Sequence, residues 1–335
     1  MRLVHRAVCF YVAALAVLWG LLWLAADRWW VATVVMFGPR WVWGVPLLPL
    51  LLAALLIRRR IVWLPLLLAT VLLLFPVMRL CLPWRPLLSR DSGSAGQALS
   101  LRVLTCNVDH ADLDPHALAG LVEEARPDVV ACQAWTSRHE EIVFGKERGP
   151  GHWHVKRDGE LLLASRHPIT AAERVLGGPF TIGDGSFARF DVATPAGAVQ
   201  VFNIHLASPR DALQGVIAHK WGGGGAVGRH VARRGDQSAT AARHVAAAGG
   251  LALVLGDFNT PPDSTVYRRD WSSLTNAFSH AGFGFGNTHF TRRTAVRIDH
   301  VLAGEGWRVR RCWVGPNVGS AHRPVIADVE QRRRE

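Results

Sequence analysis

Seven polar residues stand where apolar runs end, and their types suit phosphoester chemistry. Asn107 and Asp109 close Leu104-Thr-Cys-Asn-Val-Asp, and His205 closes Val201-Phe-Asn-Ile-His. Asp257 and Asn259 follow Leu251–Leu255 in Gly256-Asp-Phe-Asn. Asp299 lies in Arg297-Ile-Asp-His and His322 in Ser320-Ala-His-Arg-Pro. A single carboxylate at a strand end caps a turn as readily as it does chemistry. The signal is the recurrence of Asn, Asp or His at five such places, because sites in α/β folds gather at strand ends. A hard divalent cation takes oxygen ligands and neutralises the oxygens of a phosphoryl group. Attacking water must lose a proton, and a histidine steadied by a carboxylate can accept it. Asp299 and His322 suit that pair. Asn107, Asp109 and Asp257 suit a metal, Asn259 suits phosphate and water, and His205 can donate to a phosphate oxygen.

These residues need rigid elements to hold them. After Asp91–Gln97, which reads as a linker, short β-rich runs recur. They are Leu101–Val108, Asp128–Trp135, Leu161–Ser165, Phe187–Val192, Val199–Leu206, Leu251–Leu255, Ile298–Leu302, Val309–Val314 and Pro324–Val329. Many are wholly apolar, as strands buried beneath helices are. Asp114 as N-cap and Pro115 at the first helical position predict a helix to about Ala125. A second helix is expected over about Ser238–Ala248, and Gly222–Gly225 reads as a surface loop. Strands with interspersed helices define a layered α/β domain over residues 99–335.

Residues 1–90 differ in kind. Three apolar runs, Ala7–Ala26, Trp41–Ile57 and Ile61–Leu82, approach or exceed the roughly 17–20 residues that cross a bilayer. Gly44-Val45-Pro46 weakens the start of the second. Ten arginines against the single acid Asp27 give this segment nine of the formal +12 charges, and leave the remainder near neutral. The high net charge is therefore a membrane feature and a poor argument for nucleic acid. Arg2, Arg6 and the Arg58–Arg60 turn favour the cytoplasmic side, which places residues 91–335 outside it, although Arg79, Arg85 and Arg90 pull the other way. Trp29, Trp30, Trp41 and Trp43 suit an aromatic belt. The five cysteines form no C-x-x-C and read as buried thiols rather than a zinc or redox site.

The ordered set Thr105-Cys-Asn-Val, Pro127-Asp-Val-Val-Ala-Cys-Gln, Leu163-Ala-Ser-Arg, Asn203-Ile-His-Leu, Gly256-Asp-Phe-Asn-Thr-Pro-Pro, Arg297-Ile-Asp-His and Ser320-Ala-His-Arg-Pro-Val resembles the endonuclease/exonuclease/phosphatase superfamily. The three-span anchor and Gly282-Phe-Gly-Phe-Gly-Asn-Thr resemble its membrane-bound branch of teicoplanin-resistance type. The resemblance implies a four-layer α/β sandwich like that of deoxyribonuclease I, and a Mg²⁺-dependent phosphoesterase in which His322 is the base and Asp299 orients it. The sequence departs from the family pattern twice. The family's Gln-Glu is Gln133-Ala134 here, and its Ser-Asp-His is Ser320-Ala321-His322. Losing two carboxylates lowers the ligand charge on which cation affinity depends, so Mg²⁺ or Mn²⁺ is expected to bind weakly. Asp109, Asp257 and Glu140 or Glu141 are the candidates to compensate.

The expectation is a multi-pass membrane protein whose outer domain hydrolyses a phosphorylated lipid, a lipid-linked substrate or a small phosphoester. An undecaprenyl-type pyrophosphate is one candidate by resemblance. The alternatives are a catalytically inactive binding protein and, less favoured with only three lysines in the chain, a nuclease.

Overall fold

An unbroken apolar sequence makes the first run a helix of 24 residues, Arg2–Ala25 (α1), about 36 Å long at 1.5 Å per residue. The computed structural model describes residues 2–84, 99–109, 113–147, 151–176, 185–218, 224–292 and 294–332. The Asp91–Gln97 linker and Gly222–Gly223 lie outside these residues.

Three helical stretches, Arg2–Ala25, Arg40–Ile57 and Arg60–Val77, are long and apolar enough to cross a membrane. The second is broken where Gly44-Val45-Pro46 falls, into a 3₁₀ turn at Arg40–Gly44 and the helix Leu47–Ile57 (α3). The third runs from Arg60 to Leu72 (α4) and ends in a π-turn at Leu73–Val77, short of the expected Leu82. A short helix absent from the sequence reading, Trp30–Phe37 (α2), sits between the first two. Val4 and Val8 pack near Ala54 and Val62, so Arg2, Arg6 and Arg58–Arg60 share one end of the bundle. The other end meets the domain.

That junction is polar and buried. Asp27, in the turn after α1, pairs with fully buried Arg234 at 3.2 Å and accepts from the Ser264 hydroxyl. Arg40 pairs with Asp263 at 2.8 Å. Thr265 Oγ1 donates to the Ala26 carbonyl, and Arg268 stacks over Trp23.

The domain holds two six-stranded sheets. The first contains β1 (Ser100–Asn107), β2 (Val129–Gln133), β3 (His154–Asp158), β4 (Leu161–Ser165), β13 (Trp307–Val314) and β14 (Val325–Gln331), in the order β13-β14-β1-β2-β4-β3. The second contains β5 (Ile169–Leu176), β6 (Ser186–Thr194), β7 (Gly197–His205), β8 (Leu253–Asp257), β9 (Thr275–Asn276) and β12 (Asp299–Ala303), in the order β5-β6-β7-β8-β12-β9. A small ribbon pairs β10 (His289–Phe290) with β11 (Ala295–Val296).

Alternation along each strand builds four layers. Leu101, Val103, Val129 and Ala131 face Phe190, Val201, Leu253 and Leu255 across the inner core. Their neighbours Leu104, Cys106, Val130 and Cys132 face outward onto Leu118, Leu121 and Val122 of the helix Pro115–Ala125 (α5). On the other sheet Phe202, Ile204 and Val254 turn out onto Ala241 and Val245. Those residues belong to the helix Gly224–Ala247 (α8), which follows the helices Glu140–Phe144 (α6) and Arg210–Ala218 (α7). The expected four-layer sandwich is thus the observed one.

Candidate active site

Each sheet contains one parallel pair, β1–β2 and β7–β8, and their C-terminal ends converge. In register, Asn107 opposes Gln133, His205 opposes Asp257, and Asp257 opposes Asp299 at the start of antiparallel β12. Six of the seven sequence candidates therefore gather around the buried Asp257 carboxylate. Gly256 permits this geometry. Its φ is +147°, and a Cβ there would lie 2.0 Å from the Ile204 carbonyl oxygen. Asp109, Ala134 and Asn259 also adopt left-handed backbone around the site, a strain that folds store at functional positions.

Two histidines flank one carboxylate oxygen. His322 Nε2 and His205 Nε2 each lie 3.8 Å from Asp257 Oδ2. Each ring is backed by a carboxylate through its other nitrogen: His322 Nδ1 meets Asp299 Oδ2 at 2.9 Å, and His205 Nδ1 meets Glu160 Oε1 at 3.1 Å. Asp257 accepts from Asn107 Nδ2 at 2.9 Å, from the Asn259 backbone N–H at 2.8 Å and from Asn259 Nδ2 at 3.2 Å. Ser320 donates to the Asn107 carbonyl and accepts from the His322 N–H, which fixes the last motif against β1. The Thr288 hydroxyl accepts from the N–H groups of Ile298 and Asp299.

The charges hold one another. Burial works against the His322 imidazolium, but Asp299 and Asp257 outweigh it and raise the group to about 9. Burial likewise opposes the His205 charge, and Glu160 and Asp257 overcome it, so His205 is also raised. Burial and the nearby Asp299 push Asp257 up. Burial alone would raise Asp299 too, but its pairing with His322 leaves it below the ordinary carboxylate value. Carboxylates thus favour the positive form of both histidines, while burial and Asp299 work against the charge of Asp257. Asp257, Asp299 and His322 offer ligand atoms within 4.8 Å of one another. With Asp299 and His322 engaged with each other, the Asp257 carboxylate is the group of the three that fits a divalent cation.

The structure places the remaining candidates elsewhere. Asp109 lies at the rim, part exposed, 3.7 Å from Arg210. Glu140 and Glu141 open α6 at the surface, where Glu141 pairs with Lys146, so the expected compensation does not come from them. The residue that sequence reasoning missed is Glu160. It occupies the two-residue turn between β3 and β4, and the Trp135 N–H donates to its carbonyl at 2.9 Å. Glu160 therefore stands beside Ala134. Gly159, the first residue of this two-residue turn with φ +60°, was the available signal. His289 was also missed. It packs on the His322 ring with centroids 4.6 Å apart, and burial and His322 lower it to about 4.

The fold and these motifs define a phosphoester-hydrolase type of scaffold. The sequence profile of the endonuclease/exonuclease/phosphatase family matches residues 104–322, and the chain belongs to that family. A search of curated proteins returned no match. Among solved structures, the chain is similar to a family protein from Bacteroides thetaiotaomicron, at 15% identity and TM-score 0.50, covering 71% of this chain and 100% of that one. It is similar to a family protein from Beutenbergia cavernae, at 18% identity and TM-score 0.50, covering 70% and 72%. Truncated TDP2 from Caenorhabditis elegans aligns at 15% identity and TM-score 0.53, covering 69% and 98%. These likenesses concern the fold.

Proposed function

We propose that the protein is a membrane-anchored, divalent-metal-dependent phosphoesterase whose domain lies outside the cytoplasm and acts on a phosphorylated lipid or lipid-linked substrate. The observation that carries the chemistry is the pair of carboxylate-backed histidines on a single Asp257 oxygen. A neutral His322 takes the proton of attacking water at Nε2, while Asp299 fixes its tautomer and stabilises the imidazolium that forms. Asn107 and Asn259 hold Asp257 in place, and protonated His205 donates to a phosphoryl or leaving oxygen. Mg²⁺ or Mn²⁺, held by Asp257 with Asn107 beside it, would offset charge on the phosphoryl oxygen and disfavour the His322 imidazolium, so that the neutral base is available.

The anchor supports the lipid reading. Arg2, Arg6 and Arg58–Arg60 lie at the end of the bundle away from the domain, which under the positive-inside rule supports a domain outside the cytoplasm. The loop that carries Asp257 reaches the anchor within six residues, at Asp263. Asp257 is therefore at most about 22 Å from the junction, at about 3.6 Å per residue. Ala134 and Ala321 favour a second reading, in which the fold survives as a binding protein without turnover.

The test compares the full chain in bilayer nanodiscs on a prenyl pyrophosphate and on a soluble aryl phosphodiester, with Mg²⁺ varied. The first reading expects Mg²⁺-dependent turnover, abolished by Asp257→Asn and faster on the lipid. Absence of turnover on both substrates at saturating Mg²⁺ supports the second reading.

A further inference from the structure

A cleft of about 100 Å³ opens between the helical segment and the domain, outside the cluster described above. Arg40, Arg79 and Arg297 line it, with Asp263 as the single acid. Arg40 is fully occupied. It pairs with Asp263 at 2.8 Å and donates to the Met36 and Val77 carbonyls. Arg297 is only 4% exposed, yet its guanidinium meets no carboxylate among the described residues. It donates weakly to Cys81 Sγ at 3.3 Å and to Ser279 Oγ at 3.2 Å, and its Nε has no partner among them. The Arg79 guanidinium makes no hydrogen bond to any described residue. Burial opposes its charge, as do Arg297 and Arg40, while Asp263 and, to a lesser extent, Cys81 favour it.

Arg79 and Arg297 thus share the cleft with a single carboxylate, Asp263, that is already paired with Arg40, and buried charge calls for a partner. Arginine forks match phosphate oxygens in geometry and charge. The position argues for the source. Arg40 and Arg79 close the domain-side ends of the second and third candidate spans. Trp41, 60% exposed, forms the rim, as aromatic residues do at a bilayer surface. The chemical centre is close: Arg297 is two residues from Asp299, and Asn287 of the cleft adjoins Thr288.

We propose that this cleft binds the phosphate group of a membrane lipid and so holds a lipid beside the catalytic cluster. The proposal rests on the reading that the three helices lie in a bilayer. It does not require that the protein turn over.

The experiment titrates dioctanoyl phosphatidate, dioctanoyl glycerol and inorganic phosphate into the full chain in detergent, with metal chelated, and follows tryptophan fluorescence. Saturable binding of phosphatidate, with dioctanoyl glycerol weak, is expected. Arg79→Gln should weaken phosphatidate about tenfold, the scale of one charged hydrogen bond, and Arg79→Lys should recover most of the loss. Arg79→Gln removes no observed hydrogen bond, so its fold should survive, as thermal unfolding will check. Arg297→Gln serves as the second variant at the same cleft. Unchanged phosphatidate affinity in Arg79→Gln overturns the proposal. So does equal binding of dioctanoyl glycerol, or binding of inorganic phosphate alone. Since hydrolysis is not read, an inactive protein that shows the Arg79→Gln loss retains the site, and an active one without that loss does not have it.

Discussion

Around Asp257 the two histidine–carboxylate pairs are complete, whereas the side on which the proposed cation would sit is thin. His322 with Asp299 and His205 with Glu160 form two buried pairs, each within hydrogen-bonding reach. On the other side, Ala134 and Ala321 stand where the resemblance leads one to expect carboxylates. The difference has a physical basis. Removing one member of a buried ion pair leaves an uncompensated charge, at a typical cost of about 3–5 kcal/mol. A ligand carboxylate that faces only other carboxylates is repelled unless its ion is present. Deleting it relaxes the fold. A site of this kind can therefore shed metal affinity without shedding structure, whereas the histidine pairs are held in place by stability.

The comparison breaks or sharpens under four changes. His322→Ala should lower turnover of an aryl phosphodiester by about 10³-fold, within the range of a lost general base, with little change in Mg²⁺ affinity. A large fall in Mg²⁺ affinity would merge the two sides. Restoring carboxylates by Ala134→Glu with Ala321→Asp should tighten Mg²⁺ about 10- to 100-fold by isothermal calorimetry. The double variant should exceed the product of the single effects, because ligands of one ion act as a unit. Lowered stability without added affinity would show that the cation side has drifted beyond repair. Glu160→Gln should lower turnover about tenfold by loosening His205, and should leave the His322 side of the pH–rate profile in place.

The smallest effect is on stability. His322 and His205 both sit above their unfolded value near 6.5, so the stability they contribute is complete below that pH and is lost as pH rises through their folded values, about 9 for His322. Thermal unfolding of chelated protein should therefore weaken between pH 7 and 9, by on the order of 2 kcal/mol. Asp299→Asn should remove most of that slope, because it removes the partner that holds the proton.

What was legible from the sequence was local. Asp114 and Pro115 start α5 where the capping pattern puts them, and Asp114 accepts from the N–H groups of His116 and Ala117. The buried strands were found because they are apolar on both faces. The missed strands β3 and β5 each lie at one edge of their sheet, with exposed polar residues, and β5 has the weak strand sequence Ile169-Thr-Ala-Ala-Glu-Arg-Val-Leu. Helix α8 was placed 14 residues late, at Ser238 instead of Gly224, since Gly224, Gly225, Gly228 and Gly235 argue against helix. Tertiary contacts decide it: Val227, Val231, Arg234, Ser238, Ala241 and Val245 form one buried stripe. Glu160 and the Asp27–Arg234 pair were invisible for a different reason. Each joins residues far apart in the chain: the turn glycine before Glu160 marks a hairpin but not its partner His205, and nothing local marks Asp27 or Arg234.

The central claim is that the retained histidine pairs still perform hydrolysis and that the cation is the limiting part. The most direct measurement is Mg²⁺-dependent hydrolysis of an aryl phosphodiester by the full chain, run in parallel on wild type, His322→Ala and the Ala134→Glu, Ala321→Asp double variant. The account predicts slow turnover in wild type that saturates only at high Mg²⁺, its loss in His322→Ala, and higher turnover at lower Mg²⁺ in the double variant. No turnover in either wild type or the double variant, with both folded, would contradict it.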